Sequence, residues 1–409
     1  MDMTCSRHEP LQTLQSTLLL GVSPTSPTLS TILTLTTSAT ALYGIHYFAA
    51  AAKPPTLVVP SSPSSPHSVL LAADALPTLR EPYYPPFLLD GGHTQTVLAA
   101  RLRPVPRVDY LRTSLFLADG GMVALDWATK PADITPHTPV MLVLHGLTGG
   151  SDEGYVRLAV RSALAMGWAP LVFNYRGAAG TDVLTPRGYS ASATDDLDAV
   201  LAHVKAKAPH SPLFAVGFSL GANILSRHLC DAGSATPVDA AVALCCPFSM
   251  IRKPEHSLPW IYERIFTANL VRFAKRHPML AHHPQVNPAD LDTCRTVRDF
   301  DAAVTVPVFG HKDVDDYYRH ATVAGRISGI KIPTLFLSAA DDPIVPEPII
   351  PTDDIAANPY TMAAITRRGG HCAWLEHAGV WGPAWSDHAT IEFFSGLLDH
   401  NLLRRAPAS

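Results

Sequence analysis

Charge is scarce at the start of this 409-residue chain. Between Glu9 and Lys53 there is no Asp, Glu, Lys or Arg. Cysteine is also sparse. The six cysteines (Cys5, Cys230, Cys245, Cys246, Cys294 and Cys372) are scattered and form no C-x-x-C pair. A chain this large needs no disulfide staples, so free thiols in a reducing compartment are expected. Cys245 and Cys246 close an apolar run and read as a buried strand end. Basic excess is missing too. The net charge of -4 gives no positive field, which speaks against nucleic acid as a partner. Neither a G-x-G-x-x-G nor a P-loop occurs, no internal repeat is visible, and no cofactor is implied.

What is present begins with the uncharged leader. Residues 1–27 read as a tail. Residues 28–52, "TLSTILTLTTSATALYGIHYFAAAA", are long enough to span a bilayer as a helix. Threonine and serine hydroxyls can bond back to helix carbonyls there. Tyr43, Tyr47 and Phe48 sit near one end, where aromatics favour an interface. A single-pass membrane anchor is the expectation. A targeting peptide, with only Arg7 for positive charge, and a disordered tail are the alternatives. Residues 53–82, rich in Pro and Ser, read as an extended linker.

From about Tyr83 to residue 405 the pattern is globular. Ser114 to Ala128 reads as a hairpin around Asp119-Gly120-Gly121. Six continuous apolar runs follow: "PVMLVLHG", "APLVFNYRG", "PLFAVGFS", "DAAVALCCP", "IPTLFLSAADD" and "YTMAAITRRGGH". Continuous rather than alternating runs fit strands buried on both faces. Helical patterns separate the first four, so a mainly parallel sheet flanked by helices is expected. The rhythm fails between about 247 and 326. That stretch is too long for a plain loop and is expected to cap the strand ends, where ligands bind in open α/β sheets.

Gly217-Phe218-Ser219-Leu220-Gly221 is a G-x-S-x-G between a strand and a helix. A nucleophilic serine needs that exposed apex, beside the free N–H groups of a helix start. Its partners are expected downstream, acid before histidine. Asp341 and Asp342 end one strand. Asp342 is the expected acid, since Pro343 fixes the chain behind it. His371 follows Gly369-Gly370 on the loop after the last strand and is the expected base. His377 and His388 come later. The oxyanion donors are expected to be the N–H groups of Leu220 and of Leu147, in "HGLTGG". His145 reads as structural. His277, His282 and His283 lack a paired carboxylate or Cys at ligand spacing, so no metal is expected.

The chain resembles the YheT-like α/β-hydrolases, the group with ABHD1/ABHD3-type membrane hydrolases, EMB8-like plant proteins and yeast medium-chain acyl ester synthases. The matching pieces are "GGHTQTV", "HGLTGGSDEGYVR", "VFNYRGAAGT", "GFSLGAN", "RTVRDFDAAVTVPVFGHKDVDDYYRHA", "ADDPIVP" and "GGHCAWLE". The resemblance implies an α/β-hydrolase fold with a cap insertion. It maps a catalytic set to Ser219, Asp342 and His371, and implies acyl-ester chemistry on lipid or medium-chain substrates. Hydrolysis is the expectation, and alcohol O-acyl transfer through the same acyl-enzyme is the alternative. A catalytically silent membrane scaffold is the alternative from another class. "HKDVDD" also fits an H-x-x-x-x-D pattern at His311 and Asp316, read as structural because a base must reach the nucleophile.

Overall fold

The computed structural model describes residues 27–376 and 382–403. It divides into two units, Met1–Ala50 and Ala51–Ser409.

In the first unit, residues Pro27–His46 form a 20-residue α-helix. Its length suits a bilayer, but its composition does not. It carries six threonines and two serines. The hydroxyls of Thr34, Thr36 and Thr37 donate to carbonyls one turn back, at 2.8, 2.9 and 2.7 Å. That satisfies the hydroxyls without making the helix surface apolar. No helix among the described residues is long and apolar enough to cross a membrane. This finding corrects the expected membrane anchor at 28–52, together with the membrane localisation and membrane partner that rested on it. The expected tail lies outside the described residues apart from Pro27.

The second unit is built on a nine-stranded sheet among the described residues. Its strands are β1 (Thr56–Val58), β2 (Leu111–Phe116), β3 (Met122–Trp127), β4 (Val140–Leu144), β5 (Ala169–Asn174), β6 (Leu213–Phe218), β7 (Ala240–Leu244), β8 (Thr334–Ala339) and β9 (Thr361–Thr366). The spatial order is β1-β9-β8-β7-β6-β4-β5-β3-β2. Strands β4 to β9 are mutually parallel, and antiparallel strands close both edges.

Strand β4 shows why the runs are continuous. Val140, Leu142 and Leu144 enter one apolar layer, while Met141 and Val143 enter the other. Successive side chains point to opposite faces, and here both faces are covered. Helices Asp195–Lys207 and Leu220–Ala232 cover the first layer through Leu197, Val200, Ile224 and Leu225. Helices Gly154–Ala165 and Trp385–Asp399 cover the second through Val156, Val160, Phe393 and Phe394. Each such buried side chain contributes about 1.5–3 kcal/mol.

The Pro/Ser-rich stretch 53–82 is not an extended linker. Thr56–Val58 pairs with β9 at the sheet edge. Ser65 caps the helix Pro66–Ala72, with proline at its start. Leu70, Leu76 and Leu79 are buried in the second layer. The prolines here set turns and a helix start rather than spacing.

The insertion between β7 and β8 holds helix Trp260–Arg276 and several shorter ones, including Val314–Ala321. It has its own apolar cluster around Leu270, Leu280, Leu291 and Phe300.

Candidate active site

Strand β6 and the helix Leu220–Ala232 meet at Ser219, which sits at φ 51° and ψ -114°. A serine there is strained by about 1–3 kcal/mol. The turn is held by Ser219 N–H donating to the Leu244 carbonyl at 2.9 Å. Two glycines permit the close approach. A Cβ on Gly217 would lie 2.6 Å from the Gly221 oxygen, and one on Gly221 would lie 2.4 Å from the Leu144 oxygen. The motif therefore encodes the packing of β6, its helix and β4, with Ser219 at the apex.

The loops after β8 and β9 bring two more groups to that apex. His371 Nε2 is 2.9 Å from Ser219 Oγ, and His371 Nδ1 is 2.8 Å from Asp342 Oδ2. Asp342 is buried, and its Oδ1 accepts the N–H groups of Ile344 (2.7 Å) and Val345 (2.9 Å). Asp341 is placed differently. Its Oδ1 accepts the Gly370 N–H at 3.0 Å, and burial pushes its pKa up to about 6. Asp342 thus faces the imidazole while Asp341 braces the loop that carries it.

Burial disfavours a charged His371, but the Asp342 carboxylate outweighs it and raises the imidazole pKa. Cys245, at the end of β7, lies within reach of the same ring and accepts the Cys372 N–H at 3.2 Å. Burial pushes its thiol well above the usual range, so it adds no charge at neutral pH.

Leu147 and Leu220 both line the cavity that holds Ser219. The Leu220 N–H is the first of its helix, where no intrahelical partner exists. On either side of Leu147 the N–H groups are taken. Gly146 donates to the Tyr155 hydroxyl at 2.9 Å and Thr148 to the Tyr189 hydroxyl at 3.0 Å. This leaves the Leu147 N–H for another acceptor. Its loop is anchored by buried Asp126. That carboxylate accepts from Arg112 through both oxygens at 2.7 Å, from Ser151 at 2.6 Å and from Asn174 at 2.9 Å.

The cavity has a volume of about 440 Å³. Phe266, Leu270, Phe273, Leu280, Phe300 and Val304 of the insertion form its apolar wall. Arg252 also lines it, with no carboxylate at ion-pairing distance among the described residues, although Asp342 and Glu263 lie near enough to favour its charge. Burial pushes its guanidinium pKa down. Asp301 lies buried at the cavity edge, accepts from Thr305 (2.7 Å) and Tyr318 (3.0 Å), and is raised by burial to about 7.

A family model for the alpha/beta hydrolase fold matches residues 139–378. The chain belongs to the α/β-hydrolase family. It is 34% identical over 345 residues to the embryogenesis-associated protein EMB8 of Picea glauca, covering 81% of this chain and 75% of that one. It is 32% identical over 372 residues to human phospholipase ABHD3, covering 88% of each. With the monoacylglycerol lipase of Saccharomyces cerevisiae it shares 35% identity over 248 residues, covering 58% of this chain and 55% of that one. This hydrolase is an ester-hydrolase-type enzyme by those likenesses.

Several residues around the site went unread in the hydrolase sequence. "GGHTQTV" forms the helix Gly92–Arg101, which buttresses the histidine loop. Thr96 Oγ1 accepts the His371 N–H at 2.9 Å, and buried Gln95 accepts the Leu375 N–H at 3.1 Å. His93 Nδ1 lies 3.0 Å from the Tyr262 hydroxyl of the insertion, with the rings stacked. The only signal was the motif itself, which has no chemistry until its contacts are known. The other histidines considered from the sequence have contacts of their own, apart from His377. His145 is buried, burial lowers its pKa to about 4, and its Nδ1 lies 2.8 Å from the Gly146 oxygen. His277 Nε2 lies 3.0 Å from the Gly177 oxygen, and His282 Nδ1 2.9 Å from the Pro278 oxygen. His283 stays on the insertion, where its Nδ1 accepts the Gln285 N–H at 3.2 Å. His388 sits 3.6 Å from Glu376. His377 lies outside the described residues.

Proposed function

We propose that this hydrolase cleaves carboxylic esters of lipid-like acyl chains by a serine mechanism. The observation that carries the proposal is one continuous arrangement. Ser219 Oγ opens into an apolar cavity of about 440 Å³ and lies 2.9 Å from His371 Nε2, whose Nδ1 lies 2.8 Å from Asp342. In this mechanism His371 takes the Ser219 proton as Oγ attacks the acyl carbonyl. Asp342 fixes the Nε2-acceptor tautomer and stabilises the imidazolium. The N–H groups of Leu220 and Leu147 receive the oxyanion. His371 then protonates the leaving alcohol, and water, activated by the same imidazole, resolves the acyl-enzyme. A cavity of this size and lining fits a medium acyl chain better than an acetyl group.

A panel of esters differing in acyl length and head group, run with and without an added alcohol, tests this. Release of free acid, faster for medium chains than for acetate, is the expected result. No turnover of any ester contradicts it, and ester formed from the alcohol in preference to free acid makes the protein an acyltransferase.

Arg252 favours one substrate class within that panel. The named relatives include a phospholipase and a monoacylglycerol lipase, which differ in head-group charge. A guanidinium on the cavity wall with no described carboxylate at ion-pairing distance supports an ester bearing an anionic phosphate. Arg252→Gln is expected to lower kcat/KM on a phospholipid about 10- to 100-fold, the worth of a charge-assisted hydrogen bond. Hydrolysis of a neutral monoacylglycerol is expected to change by less than about threefold, as a surface change away from its contacts would. An equal fall on both contradicts the head-group role.

A further inference from the structure

The insertion holds a second cluster of chemistry-bearing side chains that the ester mechanism does not use. His311, Asp316 and His320 each present one ligating atom, and the three atoms lie within 4.8 Å of one another. Two of them share a helix. Asp316 and His320 are four residues apart on Val314–Ala321, so they occupy one face. Asp313 caps that helix by accepting the Asp316 N–H at 2.7 Å, which fixes where the first turn begins. His311 precedes the helix and folds back over it. Its ring centroid is 5.4 Å from that of His320.

The spacing inside the cluster is not that of hydrogen bonds. His311 Nδ1 is 3.6 Å from Asp316 Oδ2, and His320 Nδ1 is 3.5 Å from Asp316 Oδ1. Both distances are too long for a good N–H···O contact. The imidazoles spend protons elsewhere. His311 Nε2 lies 2.9 Å from Ser192 Oγ, and His320 Nδ1 lies 2.8 Å from the Asp316 carbonyl. A proton given to Ser192 leaves the His311 Nδ1 lone pair facing a carboxylate oxygen, and the His320 Nδ1 proton given to the Asp316 carbonyl leaves Nε2 as the ligating nitrogen of that ring. Two acceptors facing each other across that gap suit a cation between them. Asp316 has other donors, the Lys312 N–H and the Arg319 guanidinium at 3.2 Å each. Each takes one lone pair of one oxygen, and a carboxylate oxygen has another to give.

We propose that His311, Asp316 and His320 form a divalent transition-metal site, matched best by Zn²⁺. Two imidazole nitrogens and one carboxylate oxygen are a zinc-type donor set, with the fourth position left to water. Ca²⁺ and Mg²⁺ prefer all-oxygen sites and fit poorly. Ser192 holds the outer nitrogen of His311, as hydrogen-bonding partners of metal-bound histidines do. The three side chains are partly accessible, at 12%, 19% and 52% exposure. The site is separate from Ser219, but it touches the cavity wall. Tyr317 and Tyr318 of the same helix line the cavity, and Tyr318 donates to Asp301. A bound ion would lock this stretch of the insertion to the Ser192 segment and so stiffen one wall of the cavity.

The test is calorimetric titration of the full-length chain, stripped of metal, with ZnCl₂, and visible spectroscopy with CoCl₂. One bound ion and the d–d bands of Co²⁺ in a nitrogen–oxygen field are expected. His320→Ala, at a half-exposed position that leaves the fold intact, is expected to weaken Zn²⁺ binding at least about 10- to 100-fold, the loss seen even for second-layer partners. Ser192→Ala is expected to weaken it about 10-fold. His282→Ala and His283→Ala, elsewhere on the insertion, should leave it unchanged. Absence of binding, or affinity that survives both His311→Ala and His320→Ala, overturns the proposal.

Discussion

Ser219→Ala is expected to lower kcat/KM on acyl esters by about four to six orders of magnitude. The change removes one oxygen whose described partner is His371 Nε2. Without it, His371 has no nucleophile to deprotonate and no acyl-enzyme forms. What survives is water attack helped by binding and the oxyanion donors, which accounts for a residual rate above the uncatalysed one. The fold should not suffer. Alanine occupies φ 51° with the same strain as serine, and the backbone bond from Ser219 to the Leu244 carbonyl stays. Kinetics alongside a urea midpoint separate these outcomes. Activity within tenfold of the parent would remove Ser219 from the mechanism.

The second large effect distinguishes two adjacent carboxylates. Asp342→Asn is expected to lower kcat about 10,000-fold. An asparagine there can keep Oδ1 on the N–H groups of Ile344 and Val345, which turns its NH₂ toward His371 Nδ1. The imidazole must then hold its proton on Nε2, the nitrogen that has to accept from Ser219. Asp341→Asn is expected to cost less than about tenfold, since its amide oxygen can still accept the Gly370 N–H. The reverse ranking would move the acid to Asp341.

The His371–Asp342 pair sets the pH profile. The base works only when neutral, so activity falls as pH drops through the His371 pKa. Asp342 raises that pKa, which places the acid limb of kcat/KM above 6.5, the ordinary imidazole value. In Asp342→Asn the carboxylate that outweighs burial is gone, so the imidazole pKa falls and the limb should move to lower pH. A limb that stays in place in the variant would show that another group controls it.

The parallel strands were legible because burial on both faces leaves a run such as "VMLVL" with no polar interruption. The Ser219, Asp342 and His371 positions were legible because each follows a strand end and the elbow glycines announce the turn. Strand β1 was hidden: three residues between prolines pair with β9, some 300 positions downstream, and tertiary pairing overrides composition. The leader misled because its 20-residue helix has a bilayer's length while its threonines and serines keep it too polar to cross one. The roles of Thr96, Gln95 and His93 were invisible because each acts through a contact that only the packed chain creates. Arg252 was invisible because its place on the cavity wall is set by the fold of the insertion.

Active-site labelling with a fluorophosphonate, followed by peptide mapping, tests the central claim most directly. An activated serine Oγ displaces fluoride from the phosphorus of such a probe and keeps the phosphonyl group, while the neighbouring base takes the hydroxyl proton. The expected adduct is on Ser219 in the parent chain, lost in Ser219→Ala and slowed in Asp342→Asn. An adduct on another residue, or labelling that persists in Ser219→Ala, would contradict the serine mechanism.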